Sequence, residues 1–443
     1  MLTEAVEKIS NINRLSQIKL PLLFFGLAIW VIVPIVGILP LLLFVQLDLL
    51  QYRSKKKKIL SLNNLILLLV ILTIAIYVSS FDIFGDTQNY LKIYQTLDTE
   101  GPFDNYFSSD RYEFVLFIVL DLFHKLTNGS PYLCLFLFSL LINCLVVFYI
   151  SKKLSAKYYP TLLILLFANY SYYSHIFYMR QALSIVLVMA AIVTMESNFL
   201  LFLGLGLLAI FSHITTTIYF LLALLVKFYF WSSSSLSIQW KNKNNLLLYF
   251  ALGILTVSLG YTATKVYSNP EAIYGYIGRL LDVFPEQELG SSLQKTVENY
   301  DGRDSDTFGI TPYYLLSILT IIFFIIVRNY KKVSPKIITL IGIFALSILQ
   351  IVFILATGFN YRIVYLFLAL YGLFFSIGLD ENNSIKPLGI FSSITLVTVA
   401  ANVYNFINIQ SVMVDKSGWS FFEGQPLTVS LPEYISFFWN SIY

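Results

Sequence analysis

Runs of apolar residues long enough to cross a bilayer, which takes about 20 residues in a helix, recur along this chain from one end to the other. They lie near residues 21–50, 61–79, 131–150, 158–173, 180–196, 198–213, 214–231, 245–264, 312–328, 337–357, 361–378 and 387–405; the runs 158–173 and 198–213 are short, and their ends are expected to extend into the neighbouring loops. Twelve such runs in 443 residues leave no polar exterior for a water-soluble domain. Only 12% of the residues are charged and 57% are hydrophobic, whereas soluble proteins carry about 25% charged residues. The chain therefore reads as an all-α polytopic integral membrane protein with about twelve transmembrane helices. Residues 1–443 form a single transmembrane domain. A soluble enzyme, a secreted disulfide scaffold and a disordered chain are excluded.

The first run is overlong and holds Pro34 and Pro40. One tilted, kinked helix is expected there rather than a re-entrant pair, because each half of a hairpin is too short to span. The first twenty residues are polar, and the apolar run after them exceeds a signal-peptide core, so no cleavable signal is expected.

Orientation follows from Lys and Arg, which concentrate in cytoplasmic loops. One set of alternate loops holds Arg53, Lys55 to Lys58, Lys152, Lys153, Lys157, Lys227, Lys241, Lys243, Arg328, Lys331, Lys332, Lys336 and Lys386, against Glu196, Asp380 and Glu381. The other side has two large loops, 80–130 and 265–311, each with eight Asp or Glu, and a tail from 406. The basic set is assigned to the cytoplasm and the acidic loops to the outside. Lys8, Arg14 and Lys19 of the N-terminal tail then fall outside, the one breach of the rule. Within the loops, 113–123 is apolar but too short to cross and is expected at the interface, and Ala272 to Phe284 reads as an amphipathic helix.

Ionisable residues beside spanning helices are costly and suggest function. Arg180 heads one span, His213 sits at the junction of the hairpin 198–231, and Arg362 opens another span. All three fall on the outer face. Each has an ordinary reading: arginines snorkel to headgroups, and a histidine can simply pack. Their convergence favours a shared site, since a guanidinium matches phosphate oxygens in a planar, two-point grip. The first outer loop adds two carboxylates, Asp86 and Glu113, and the second adds Arg279. Cys134 and Cys144, ten apart in one run, are about 15 Å apart on a helix, beyond disulfide reach. No zinc motif, Gly-rich phosphate loop or nucleophile elbow is present. No cofactor or metal is expected, and no nucleic-acid partner.

The order of these residues resembles the EpsG-like branch of the Wzy-type bacterial polysaccharide polymerases. The resemblance rests on Gly85 and Asp86 followed by Tyr90 and Tyr94, Glu113 opening a short apolar segment, Arg180 with Gln181, Phe211 with His213, and Arg362 between Tyr361 and Tyr365. It covers most of residues 60–375. Two departures stand out. Phe81 to Phe84 reads FDIF, without the basic residue often found before the Gly-Asp, and Glu113 is followed by Phe114 and Val115 rather than Pro-Gly.

The resemblance implies a GT-C-like, metal-independent glycosyltransferase of the bacterial plasma (inner) membrane, with its site facing outward. Such an enzyme joins undecaprenyl-pyrophosphate-linked oligosaccharide repeat units into an O-antigen, capsule or exopolysaccharide. It works among membrane lipids and in the company of flippase and chain-length regulator proteins. In that scheme Arg180, Arg362 and Arg279 bind pyrophosphate. His213, Asp86 or Glu113 takes the proton, and Tyr90, Tyr178 and Tyr361 hold sugar. Two other readings use the same charges: a lipid-linked glycan flippase or transporter, and a ligase working on the same donor.

Overall fold

The computed structural model describes residues 2–51, 61–79, 86–97, 114–154, 159–167, 172, 175, 178–213, 216–235, 334–343, 370, 372–378 and 430–442. All of its regular structure among these residues is helical. The helices are α1 (Leu2–Ile32), α2 (Pro34–Gln51), α3 (Leu62–Ser79), α4 (Asp86–Thr96), α5 (Val115–Thr127), α6 (Pro131–Lys153), α7 (Tyr159–Phe167), α8 (Met179–Thr194), α9 (Phe199–Ser212), α10 (Thr217–Ser235) and α11 (Leu431–Ile442). Residues 335–343 and 372–378 are helical as well. The expected spans 245–264, 312–328 and 387–405 and the amphipathic helix at 272–284 lie outside the described residues.

Among the described residues two helices have the length and apolar character to cross a membrane: α3, with 18 residues, and α6, with 23. At 1.5 Å per residue these extend about 27 and 35 Å. Shorter apolar helices surround them, and several turn large side chains outward, among them Leu200 at 79% exposure and Leu225 at 68%. In water such a surface would drive association. Against hydrocarbon it carries no such penalty.

The single kinked helix expected over 21–50 is instead a helical hairpin. Pro34 brings no N–H and opens α2 at its first position, where none is needed. Val33 alone separates the two helices. The register of the fold-back can be followed along its length. A Cβ on Gly37 would lie 2.5 Å from the Trp30 backbone, and one on Gly26 would lie 3.1 Å from the Leu41 side chain. Glycine at these two positions lets the helices approach this closely. At the open end Lys19 is ion-paired to Asp48, whose other oxygen accepts from Asn63 Nδ2 at 2.8 Å. The open end of the hairpin thus meets the start of α3. Its tip is held by Trp30 Nε1, which donates to Thr73 Oγ1 at 2.9 Å. Thr73 is six residues short of the end of α3, about 9 Å by helical rise, so the tip stops below that end.

The core lies between α2, α3, α6, α7 and α8. Thr161 of α7 reaches back to α2, donating to Gln46 Oε1 at 3.3 Å. Helix α8 is enclosed along nearly its whole length: Met179 and every residue from Gln181 to Thr194 are buried, and Arg180 is the exception. Small residues (Ala182, Ser184, Ala190 and Ala191) let neighbours pack on all its sides, as an all-round apolar helix requires. A short turn returns the chain as α9, whose first turn is capped by Asn198 Oδ1 accepting from Leu201 N at 3.0 Å. In that turn Glu196 pairs with Lys336 at 2.7 Å. Two loops expected on one side of the membrane are thereby brought to one end of the bundle.

Candidate functional site

Helix α8 delivers Arg180 to the end of the bundle opposite the Glu196–Lys336 pair. The residue before the helix, Tyr178, leaves the helical conformation, and its carbonyl accepts from Ala182 N at 2.8 Å. Arg180 follows in the first turn, half-buried. Its Nε–H donates to the Tyr90 hydroxyl, and its Cζ lies 5.3 Å from the centroid of the Tyr90 ring. One side chain, itself 5% exposed, thus meets the guanidinium through its hydroxyl and brings its ring within cation–π distance. Cation–π contact and a charge-assisted hydrogen bond each favour this pose.

Tyr90 belongs to α4, whose inward face carries Tyr94 one turn later. Tyr94 is fully buried, meets the edge of His124 at 4.9 Å between ring centres, and is hydrogen-bonded to Thr127. Thr127 Oγ1 donates to the Phe123 carbonyl at 2.9 Å, so the Tyr94 hydroxyl is the donor to Thr127. Burial pushes the Tyr94 phenol up to about 12, which keeps it a neutral donor. This face of α4 thus fixes Arg180 at one tyrosine and α5 at the next.

Helix α5 is the element around which the other candidates gather, packing against α4, α8 and α9. Phe114, the residue after Glu113, stacks on Phe211 of α9 with ring centres 4.9 Å apart. Two positions beyond Phe211, His213 ends α9 in an extended conformation, half-buried. Its N–H donates to Ala209 O at 3.0 Å, and its carbonyl accepts from Thr216 Oγ1 at 2.7 Å. Asp86 is the first residue of α4, and Tyr178 is half-buried against the main core. Glu113, Arg279, Tyr361 and Arg362 lie outside the described residues.

Of the expected site residues, Arg180 and Tyr90 are brought into direct contact, and His213 lies two residues beyond Phe211, which packs on Phe114 at the head of α5. Tyr90, expected to hold sugar, gives its hydroxyl to Arg180 and lies with its ring within cation–π distance of it. Two histidines went unnoticed in the sequence. His124 is buried against Tyr94, and His175 is fully buried in a polar cluster with Ser139, Asn143 and Tyr172. The sign of the second was available: Ser139 and Asn143, four residues apart in an apolar run, share one helix face. No group of His, Cys, Asp and Glu suited to a metal ion occurs among the described residues.

No curated protein and no solved structure is similar to the chain. The model of the EpsG family matches residues 63–419, most of the chain and all of the candidate residues. The matched stretch starts in α3, after the hairpin, and it includes α4, α5, α8 and α9. With its apolar spanning helices, this is a membrane protein of the polysaccharide-polymerase-like kind, and the chain belongs to the EpsG family.

Proposed function

We propose that the protein polymerises lipid-pyrophosphate-linked oligosaccharide repeat units into a surface polysaccharide at the outer face of the bacterial plasma membrane. The observation that carries this reading is Arg180, presented at the head of a buried helix and pinned by Tyr90, in a chain of a polymerase-like family. Glycosyl transfer from a pyrophosphate donor breaks the bond between the anomeric carbon and a phosphate oxygen, and a hydroxyl of the acceptor sugar forms the new bond. The leaving lipid pyrophosphate gains charge as the bond breaks. A fixed cation at that oxygen stabilises the transition state more than the ground state.

Arg180 takes that role, with Arg362 and Arg279 as partners. The proton released by the acceptor hydroxyl passes to His213 or to a carboxylate, Asp86 or Glu113. Tyr178 and Tyr361 offer aromatic faces to the sugars. With the leaving-group charge met by arginines, the transfer proceeds without a metal ion. The donor carrier is undecaprenyl pyrophosphate. A flippase that supplies the units and a chain-length regulator are the expected companions.

The hairpin supports a revised topology. If α1 and α2 enter and leave from the cytoplasmic side, then Lys8, Arg14 and Lys19 join Arg53 and Lys55 to Lys58 on one side, and the positive-inside rule holds throughout. Eleven of the twelve expected runs then cross, and the acidic loops and Arg180 remain outward.

The reading is tested in a strain lacking the gene by the surface glycan it makes. Single repeat units on the final acceptor support a polymerase. Accumulation of inward-facing lipid intermediate points to a flippase instead.

A further inference from the structure

Between α7 and α8 the chain is fastened to α6 by a closed ring of hydrogen bonds in the apolar core. Tyr172, His175, Ser139 and Asn143 are all buried, with exposures of 3%, 0%, 0% and 0%. The directions of the bonds follow from one fact: the Tyr172 carbonyl can only accept. His175 Nδ1, 2.7 Å from that carbonyl, must therefore carry the proton. Nε2 of the neutral ring is then an acceptor, and it takes the Ser139 hydroxyl proton at 2.9 Å. Ser139 Oγ in turn accepts from Asn143 Nδ2 at 3.3 Å, while the same nitrogen donates to the Ser139 carbonyl at 2.7 Å. The ring closes where Tyr172 donates its hydroxyl to Asn143 Oδ1 at 3.1 Å. A polar cluster in such a place is costly unless its members are all satisfied. Each of these four side chains is matched. Directly after the cluster, α6 changes to π-helical winding at Leu145–Ile150, a distortion that tends to accompany function.

We infer that this ring is a positioning latch for Arg180, so that His175, Ser139, Asn143 and Tyr172 act on the reaction through the placement of the guanidinium rather than by touching substrate. The inference rests on the polymerase reading. Only three residues separate His175 from Met179, the start of α8. Fixing the imidazole against α6 thus fixes the head of α8, and with it the reach of Arg180 to Tyr90 on α4. A simple anchor for stability would not need a hydrogen-bonded circuit, because apolar residues of similar shape fill such a space at least as well. A circuit does specify one rotation and one register of the connector. Accuracy of that order matters for catalysis, since a misplacement of about 1 Å can cost about 10²-fold in rate.

The test is a double-mutant cycle on purified full-length protein, read as polymer formed per folded molecule from lipid-pyrophosphate-linked repeat units, with thermal melting measured alongside. His175→Leu should lower polymer formation about tenfold or more in the native background and add little to the loss caused by Arg180→Lys, because coupled residues are not additive. His175→Gln, which can still meet Ser139, should recover part of the loss. Tyr172→Phe, which removes a single hydroxyl, serves if His175→Leu does not fold, and it should show the same coupling to Arg180→Lys. Equal losses in both backgrounds, or no loss, overturn the latch while leaving the polymerase reading in place. A silent Arg180→Lys overturns that reading, and the latch with it.

Discussion

Arg180 is held by Tyr90: its Nε–H donates to the phenol oxygen, and its guanidinium carbon lies 5.3 Å from the ring centroid. The pairing joins helices α4 and α8, ninety residues apart in sequence. The ring and the hydroxyl make separable contributions. Tyr90→Phe keeps the ring beneath the cation and loses a charged-group hydrogen bond worth about 1.5–3 kcal/mol, and it should reduce polymer formation about tenfold. Tyr90→Leu removes both contacts and should reduce it further. Glycan ladders at matched protein level provide the measurement. A Tyr90→Phe enzyme with full activity would show that the hydroxyl plays no part.

The hairpin makes a prediction about stability. Any side chain at Gly37 must displace the backbone of Trp30, which a Cβ there would meet at 2.5 Å. Gly37→Leu should lower stability by at least about 1–3 kcal/mol, the cost of overpacking, seen as a fall in melting temperature in detergent. Gly204 on α9 is the control, with nothing within 4 Å of its added Cβ. Gly204→Ala should be neutral or stabilising by up to about 1 kcal/mol through helix propensity.

The topology can be tested with a single thiol. In a chain carrying Cys134→Ala and Cys144→Ser, a cysteine replacing Ser10 should be protected from a membrane-impermeant maleimide in intact cells. It should react once the cells are permeabilised. Labelling in intact cells would place the N-terminal tail outside and restore a crossing within residues 21–50.

The Glu196–Lys336 pair should matter more for register than for energy. Its side chains are 38% and 21% exposed, and ion pairs of that kind contribute about 0–1 kcal/mol. Glu196→Lys alone should lower the melting temperature slightly, and the charge-swapped combination with Lys336→Glu should restore it. Independent effects of the two substitutions would argue against the contact.

The membrane class was legible from the apolar runs, and Arg180 from being a lone charge at the head of one. The hairpin was not, because two sixteen-residue apolar stretches, Gln17–Ile32 and Pro34–Leu49, on either side of Val33 read as one long run. Its traces were indirect: glycines at 26 and 37 that fall opposite Leu41 and Trp30 only after the chain turns back, and basic residues at 8, 14 and 19 on what looked like the wrong side. Tyr90 was recognised as a site residue, yet its contact with Arg180 depends on how α4 lies across α8, which sequence spacing does not encode. His175 was hidden for a similar reason. Its partners come from a helix more than thirty residues upstream, and a histidine in a connecting segment carries no periodic signal.

The central claim is that an arginine-held pyrophosphate leaves as sugar joins sugar, and reconstitution tests it most directly. Purified protein in proteoliposomes would be given lipid-pyrophosphate-linked repeat units in the presence of EDTA, and both glycan chain length and released lipid pyrophosphate would be measured. The account predicts ladders with one lipid pyrophosphate released per linkage, and a large but still measurable fall in both with Arg180→Lys at unchanged folding. Movement of intact repeat units across the bilayer without ladders, or ladders that need an added divalent cation, would contradict it.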